Sequence, residues 1–326
     1  MISLDFYLTS LEPDLNQTIL SQSIGGYCSN SVLYSQSYLA SNVGLYDTSF
    51  VIDEPSNGYS VWQNYSYLSI NGELIKISSI SNSGLVLVEE RGSNGNIAMH
   101  LSGDKVIGIS CELFNDVFNT SNIQYRCLAV KNTTTNGNPS NYLSLENIAV
   151  FIKQNSRNSG VNIELSVELP KSQYMNGIST NRTRLTLTDS SLAGLYEDNH
   201  FSECFVKPHG ESGGIVRSYD SDTGTFTFYS SFSEVIINKS YEIFPAPCQR
   251  LKSGIDEPVI NNNMSQFFSY SKQSPLYLDS IASLSGGVVL NPNDIFYIWI
   301  KRTINKGTSE MSLDDFVIDI LFNSTV

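Results

Sequence analysis

Positive charge is scarce in this chain. Lysine and arginine number 19 against 32 aspartates and glutamates, giving a net charge of −13. The densest basic pair, Lys301-Arg302, sits in a strand pattern. A grip on a phosphate backbone needs clustered cations, so direct nucleic-acid binding is not expected. Charge of either sign is thin, at 16% of residues, against roughly a quarter in ordinary soluble domains. Histidine is nearly missing, with only His100, His200 and His209. The helical zinc signature, two histidines on one face with a glutamate beside the first, does not occur. Cys28, Cys111, Cys127, Cys204 and Cys248 are odd in number, and none forms a Cys-x-x-Cys pair. Their spacing argues against a zinc cluster or a closed disulfide framework and for reduced, buried thiols, as in a reducing cytoplasm. No apolar run nears the ~20 residues of a membrane-crossing helix. Asp5 and Glu12 interrupt the apolar start that a signal peptide would need.

What the chain does have is β-forming material. Hydrophobic residues reach 40%, with 18 tyrosines and 16 phenylalanines, a content foreign to disordered chains. From Val161 to Leu169 every odd position is apolar and every even one polar, the mark of a strand with one wet and one buried face. Phe296, Ile298 and Ile300 alternate with Tyr297, Trp299 and Lys301, and Phe316, Ile318, Ile320 and Phe322 repeat the pattern. Further strands are expected over Leu68–Ile70, Leu74–Ile80, Gly84–Glu89, Ile123–Lys131, Ile148–Lys153, Leu185–Thr188 and Thr225–Tyr229. Asn71-Gly72, Ser83-Gly84, Asn136-Gly137-Asn138-Pro139, Thr223-Gly224 and Asn291-Pro292 punctuate them as turns. Asn71-Gly72 predicts a type I′ hairpin, with Tyr65, Tyr67, Ile75 and Ile77 meeting across it. Only Ser191–Tyr196 suggests a helical turn. The expected fold is all-β, with an antiparallel, immunoglobulin-like β-sandwich core.

Reactive motifs are incomplete. Gly210-Glu211-Ser212-Gly213-Gly214 has the flavour of a serine elbow, but no helix pattern follows it. Asp220-x-Asp222-x-Gly224 begins like a calcium loop, yet its twelfth position is Ser231 rather than glutamate. A hairpin turn is the better reading. His200 and His209 lack an acidic or cysteine partner at ligand spacing. No catalytic residue, metal or cofactor is expected.

Four stretches resemble a family of structural proteins of tailed bacteriophages. They are Leu4–Thr9 with Ser23-Ile24-Gly25-Gly26; Leu113–Val117 leading into Tyr125–Asn132; Ile148–Ile152 followed by the strand at 161–169; and Ile298–Thr303 with Gly307 and Asp315-Phe316. The first intervening segment resembles a virion module through Ser69–Ile75, Glu90-Arg91-Gly92, Ala98-Met99-His100 and Gly103-Asp104. The second resembles another through Ser212-Gly213-Gly214, Arg217–Asp220, Thr223–Phe226 and Tyr241-Glu242-Ile243. The sequence departs from the family at Asn115 and Lys301, and the second module lacks its usual glutamine before Arg217. The resemblance implies a discontinuous sandwich of residues 1–40, 108–169 and 256–326, with inserted β-modules at 41–107 and 170–255.

It also implies a virion component, of tail, baseplate or neck, assembled in the host cytoplasm. Its partners would be other virion proteins and further copies of itself. The alternatives are an adhesin that meets glycans on the host surface and a capsid decoration protein. The candidate contact residues are Trp299 and Tyr297 on a strand read as one-sided, Arg126, and Tyr59 and Trp62 in a loop suited to sugar stacking. For Trp299 core or edge packing is the favoured reading and a subunit contact the alternative; for Arg126 a wet face or a carboxylate partner is favoured over an interface.

Overall fold

Val161, Ile163, Leu165 and Val167 all point into one hydrophobic core, as their alternation requires. The structure, a computed structural model, describes residues 4–13, 22–32, 34–55, 59–63, 67–93, 95–109, 122–133, 143–156, 158–232, 237–281, 287–308 and 316–325. Strands take 49% of the chain and helix 3%, so the protein is all-β. Every strand pairing described is antiparallel. Leu113–Val117, Cys111, Asn136–Pro139, Tyr65 and Asp315 lie outside the described residues.

The sandwich faces a five-stranded sheet against a three-stranded one. The first has the order Val161–Glu168, Ile295–Ile304, Asn122–Asn132, Leu4–Ser10, Tyr27–Val32; the second has Leu276–Tyr277, Ser144–Gln154, Val317–Thr325. Two strand pairs run in concert. Asn122–Asn132 lies beside Ile295–Ile304 in one sheet, and the next strands of each, Ser144–Gln154 and Val317–Thr325, pair in the other. The chain therefore crosses between sheets twice in the same way. Leu4 and Phe6 pack on the same cluster as Ile318, Ile320 and Phe322, so both ends of the chain share one core.

Two further sheets carry cores of their own. Lobe 1 has six strands in the order Tyr34–Tyr38, Lys105–Ile109, Tyr67–Ile70, Glu73–Ile80, Leu85–Glu90, Ser49–Val51. Its sheet begins at Tyr34 and ends at Ile109, wider than the 41–107 expected from sequence. Asn71 and Gly72 both have positive φ, 48° and 87°, which a type I′ turn demands. The resulting register sets Leu68 opposite Ile75 and Tyr67 opposite Lys76, so Tyr67 does not meet the isoleucines. Lobe 2 has seven strands between Met175 and Ile243. Its helical turn is a single 3-10 turn, Ser190–Leu192, capped by the Asp189 side chain at Ser191 N. The hairpin joining Gly214–Asp220 to Thr225–Phe228 places Asp220 as a turn residue, accepting from Asp222 N and Thr223 Oγ1.

The outer face of the five-stranded sheet is not wet. Tyr125, Cys127, Ala129, Tyr297 and Trp299 on that face are covered by Ile24, Cys248, Leu251 and Met264. Residues 246–255, assigned from sequence to the second insertion, thus contribute to the sandwich. Glu168, at a nominally wet position, is 6% exposed. Burial pushes its carboxyl above the usual range, against the bonds from Trp299 and Gln249.

Lobe 2 joins the sandwich through paired amide bonds. Gln173 Nε2 donates to Ile295 O at 2.8 Å, and Ile295 N donates to Gln173 Oε1 at 3.1 Å. Next to them Asp294 accepts from Tyr174 N at 3.1 Å and Asn291 N at 2.8 Å. Burial pushes this carboxyl up to about 6 from 3.8, although both backbone donors oppose the shift. A carboxyl raised on folding favours the folded state while protonated. Its contribution is complete below its unfolded value and is lost as pH rises through about 6. Asp294→Asn should remove a pH-dependent component of about 3 kcal/mol between roughly pH 4 and pH 7. Urea unfolding of both proteins across that range reads it as the difference in slope; parallel curves would refute it.

Candidate contact surface

Glu73 follows the Asn71-Gly72 turn and points inward at one end of lobe 1, with no exposed surface. Its carboxylate gathers five donors. Arg91 Nε and Nη2 donate at 2.6 and 2.9 Å, Gly92 N at 3.1 Å, Ala98 N at 3.0 Å, and His100 Nε2 lies at 2.7 Å. With the carboxylate ionised, this last contact requires the proton on His100 Nε2. Burial alone pushes the Glu73 carboxyl up, but the bonds from Arg91, Ala98 and His100 outweigh it and hold it below the ordinary range.

Arg91 extends the network to two loops. Its Nη1 donates to Gly44 O at 2.7 Å and its Nη2 to Ala98 O at 2.8 Å. The loops also bond directly, Val43 N to His100 O at 2.9 Å and His100 N to Val43 O at 3.0 Å. Each is stiffened locally: Asp47 accepts from Gly44 N, Asp104 from Leu101 N, and Asn42 Oδ1 from Ser102 N. One buried ion network therefore fixes the backbone of residues 42–47 and 96–104.

The same loops hold five large apolar side chains in solvent, among exposed Asn42, Asp47, Asn96 and Ser102. Tyr46 is 90% exposed, Met99 71%, Leu101 65%, Ile97 53% and Leu45 39%. A single exposed leucine means nothing on a protein surface, but five large apolar side chains on two mutually bonded loops form a patch. Pre-ordering such a patch lowers the entropic cost of docking.

The contact residues expected from sequence lie elsewhere, and mostly inside. Trp299, Tyr297 and Trp62 have no exposed surface, and Arg126 is 3% exposed. Trp62, on the short helix Tyr59–Trp62, fills the core of lobe 1. Tyr59 is half-buried and donates its hydroxyl to Ile52 O at 3.3 Å. Trp62 therefore offers no ring face for stacking a sugar. Tyr297 donates its hydroxyl to Ala246 O at 3.0 Å. Arg126 Nη1 bonds Tyr125 O at 2.7 Å and packs under Gly254, where an added Cβ would sit 2.1 Å away. Burial first, and then the Arg302 charge, push this guanidinium down to about 10. These side chains stabilise the chain and do not present themselves to a partner. Sequence reasoning assigned Tyr46, Ile97 and Leu101 no role, and Met99 only a place in the Ala98-Met99-His100 stretch, because isolated apolar residues in loops carry no periodic signal.

Among the described residues no group of three or more His, Cys, Asp or Glu side chains is placed to hold a metal ion. His200 stacks on Tyr196 with centroids 4.7 Å apart, and His209 is exposed. A cleft of about 260 Å3 opens between the sandwich and lobe 2, lined among others by Tyr7, Tyr27, Lys131, Phe205 and Phe244. No family model, curated protein or solved structure matches the chain.

Proposed function

We propose that this chain is a structural component of a tailed bacteriophage particle, of tail, baseplate or neck, and acts through contacts with neighbouring virion subunits. The observation that carries the reading is the tip of lobe 1, where a fully buried carboxylate is committed to holding five apolar side chains in water. The residues that build it, Glu73, Arg91, Gly92, Ala98 and His100, belong to the segment that resembles a virion module. A chain with a core of its own in the sandwich and in each lobe suits a subunit that meets several neighbours at once. Two appended β-lobes give it reach, and a standard interface needs only about 800 Å² from each partner.

The test replaces Tyr46, Met99 and Leu101 together by serine. All three side chains point into solvent, so the unfolding midpoint of the isolated chain should not move. Particles made in a host supplying only the variant should lack the chain, whereas particles made with the natural sequence should contain it by mass spectrometry. Absence of the natural chain from purified particles would overturn the assignment to the virion. Equal incorporation of the variant would remove the tip as the contact.

A further inference from the structure

Cys127 and Cys248 are 121 residues apart in the chain, yet their Sγ atoms lie 3.6 Å apart. Cys127 sits on the outer face of the central strand Asn122–Asn132, with no exposed surface. Cys248 lies on the segment that leaves lobe 2 and returns across that face. Its backbone is pinned there, since Cys248 N donates to Gly26 O at 3.1 Å and Gly25 bridges Arg250. Both strands of chain are therefore held in place around the two sulfurs. A disulfide needs about 2.0 Å between sulfurs, so each must move by about 0.8 Å, within reach of small side-chain rotations.

We propose that Cys127 and Cys248 are a latent disulfide, closed by a small peroxide-class oxidant, that staples the segment leaving lobe 2 to the sandwich. The inference stands on this geometry and does not depend on the virion reading. One thiol, as thiolate, attacks an oxygen of hydrogen peroxide; the O–O bond breaks, and the departing hydroxide takes up a proton as water. The sulfenic acid so formed is attacked by the second sulfur, the S–O bond breaks, and its oxygen leaves as a second water. Two thiols are oxidised and one peroxide is reduced, with both thiol protons carried into water. Cys28 is the competing partner, because it also lies near Cys248. Burial raises all three thiols above their usual range, so few thiolates form near neutrality and the pair stays reduced without oxidant.

The experiment treats the purified full-length chain, freed of reductant and in native buffer, with hydrogen peroxide. The monomer should become lighter by the two thiol hydrogens, about 2 Da. Trypsin under non-reducing conditions should then release residues 127–131 joined to residues 240–250. Cys28→Ser should leave that joined peptide intact, and Cys248→Ser should abolish it. The unfolding midpoint of the oxidised chain should rise by about 5 °C, reversed by dithiothreitol. A joint between Cys248 and the peptide carrying Cys28, or addition of oxygen without loss of hydrogen, would overturn the proposal. These outcomes are read on the natural chain, so they hold even if a cysteine variant fails to fold.

Discussion

Replacing Glu73 by glutamine should lower the stability of lobe 1 by about 3–5 kcal/mol, the usual result of removing one partner of a buried ion pair. The substitution keeps the shape of the side chain but exchanges one carboxylate oxygen for an amide nitrogen, which donates and cannot accept. Arg91 Nε and Nη2, Gly92 N, Ala98 N and His100 Nε2 all aim at those two oxygens. At least one donor is then left facing another donor, and the buried guanidinium loses its counter-charge. The exposed pair Lys76–Glu89 offers the contrast. Both partners meet water there, so its removal should leave the unfolding midpoint nearly unmoved.

The same carboxylate has a signature in acid. Its folded value lies below the ordinary range, so its stabilisation is present above the unfolded value and is lost as pH falls through the folded one. Glu73→Gln should therefore flatten the acid limb of lobe 1, whereas Asp294→Asn acts on the rise from about pH 4 to pH 7 with the opposite sign. Hydrogen exchange localises the effect: amides of residues 42–47 and 96–104 should lose protection while those of the sandwich strands keep it. An unchanged unfolding midpoint in Glu73→Gln would show that the network is dispensable. The double variant Glu73→Leu, Arg91→Met should recover part of the loss, because it removes both charges together.

Much of the fold was legible because β-structure writes its faces into alternate positions. Val161, Ile163, Leu165 and Val167 were placed correctly by period alone, and Asn71-Gly72 announced its own turn through two residues that tolerate positive φ. Alternation tells which residues share a face. It does not tell whether a later stretch of chain will cover the other face. Tyr297 and Trp299 occupy the alternate positions of their strand, and large aromatic rings there suit a lid as readily as a surface. The run from Ile295 to Ile300 is apolar throughout, the pattern of a strand buried on both sides. Lobe boundaries were misjudged for a related reason: Tyr34–Tyr38 looks like any other strand, and only its pairing with Lys105–Ile109 assigns it to lobe 1. The tip was half legible. Glu73, Arg91 and His100 stood out as a motif, but a contact patch of loop residues has no period to detect.

Trp299→Ala should cost about 4 kcal/mol in the unfolding free energy of the sandwich, and this decides between the two readings of that residue. The indole has no exposed surface, and its Nε1 donates to Glu168 Oε2 at 2.7 Å. Glu168 also accepts from Gln249 N and Gln249 Nε2, at 3.1 and 3.3 Å, so one carboxylate ties the strand to the covering segment. The space is tight. At Gly25, with φ of 94°, an added Cβ would meet Gln249 O at 1.9 Å and Trp299 Cη2 at 2.8 Å. The backbone of the first turn has thus moulded itself to the ring, and collapse around an alanine would have to pull that turn inward. Trp299→Phe separates the two contributions, keeping most of the volume and losing only the N–H, for about 1–3 kcal/mol. Its loss should also push the Glu168 carboxyl further up, since a donor that favoured the charged form is gone. A residue that served a neighbouring subunit would leave the isolated chain as stable as before and fail only in assembly. Loss of stability in the dilute monomer, before any partner is present, marks Trp299 as the clasp between the sandwich and its lid.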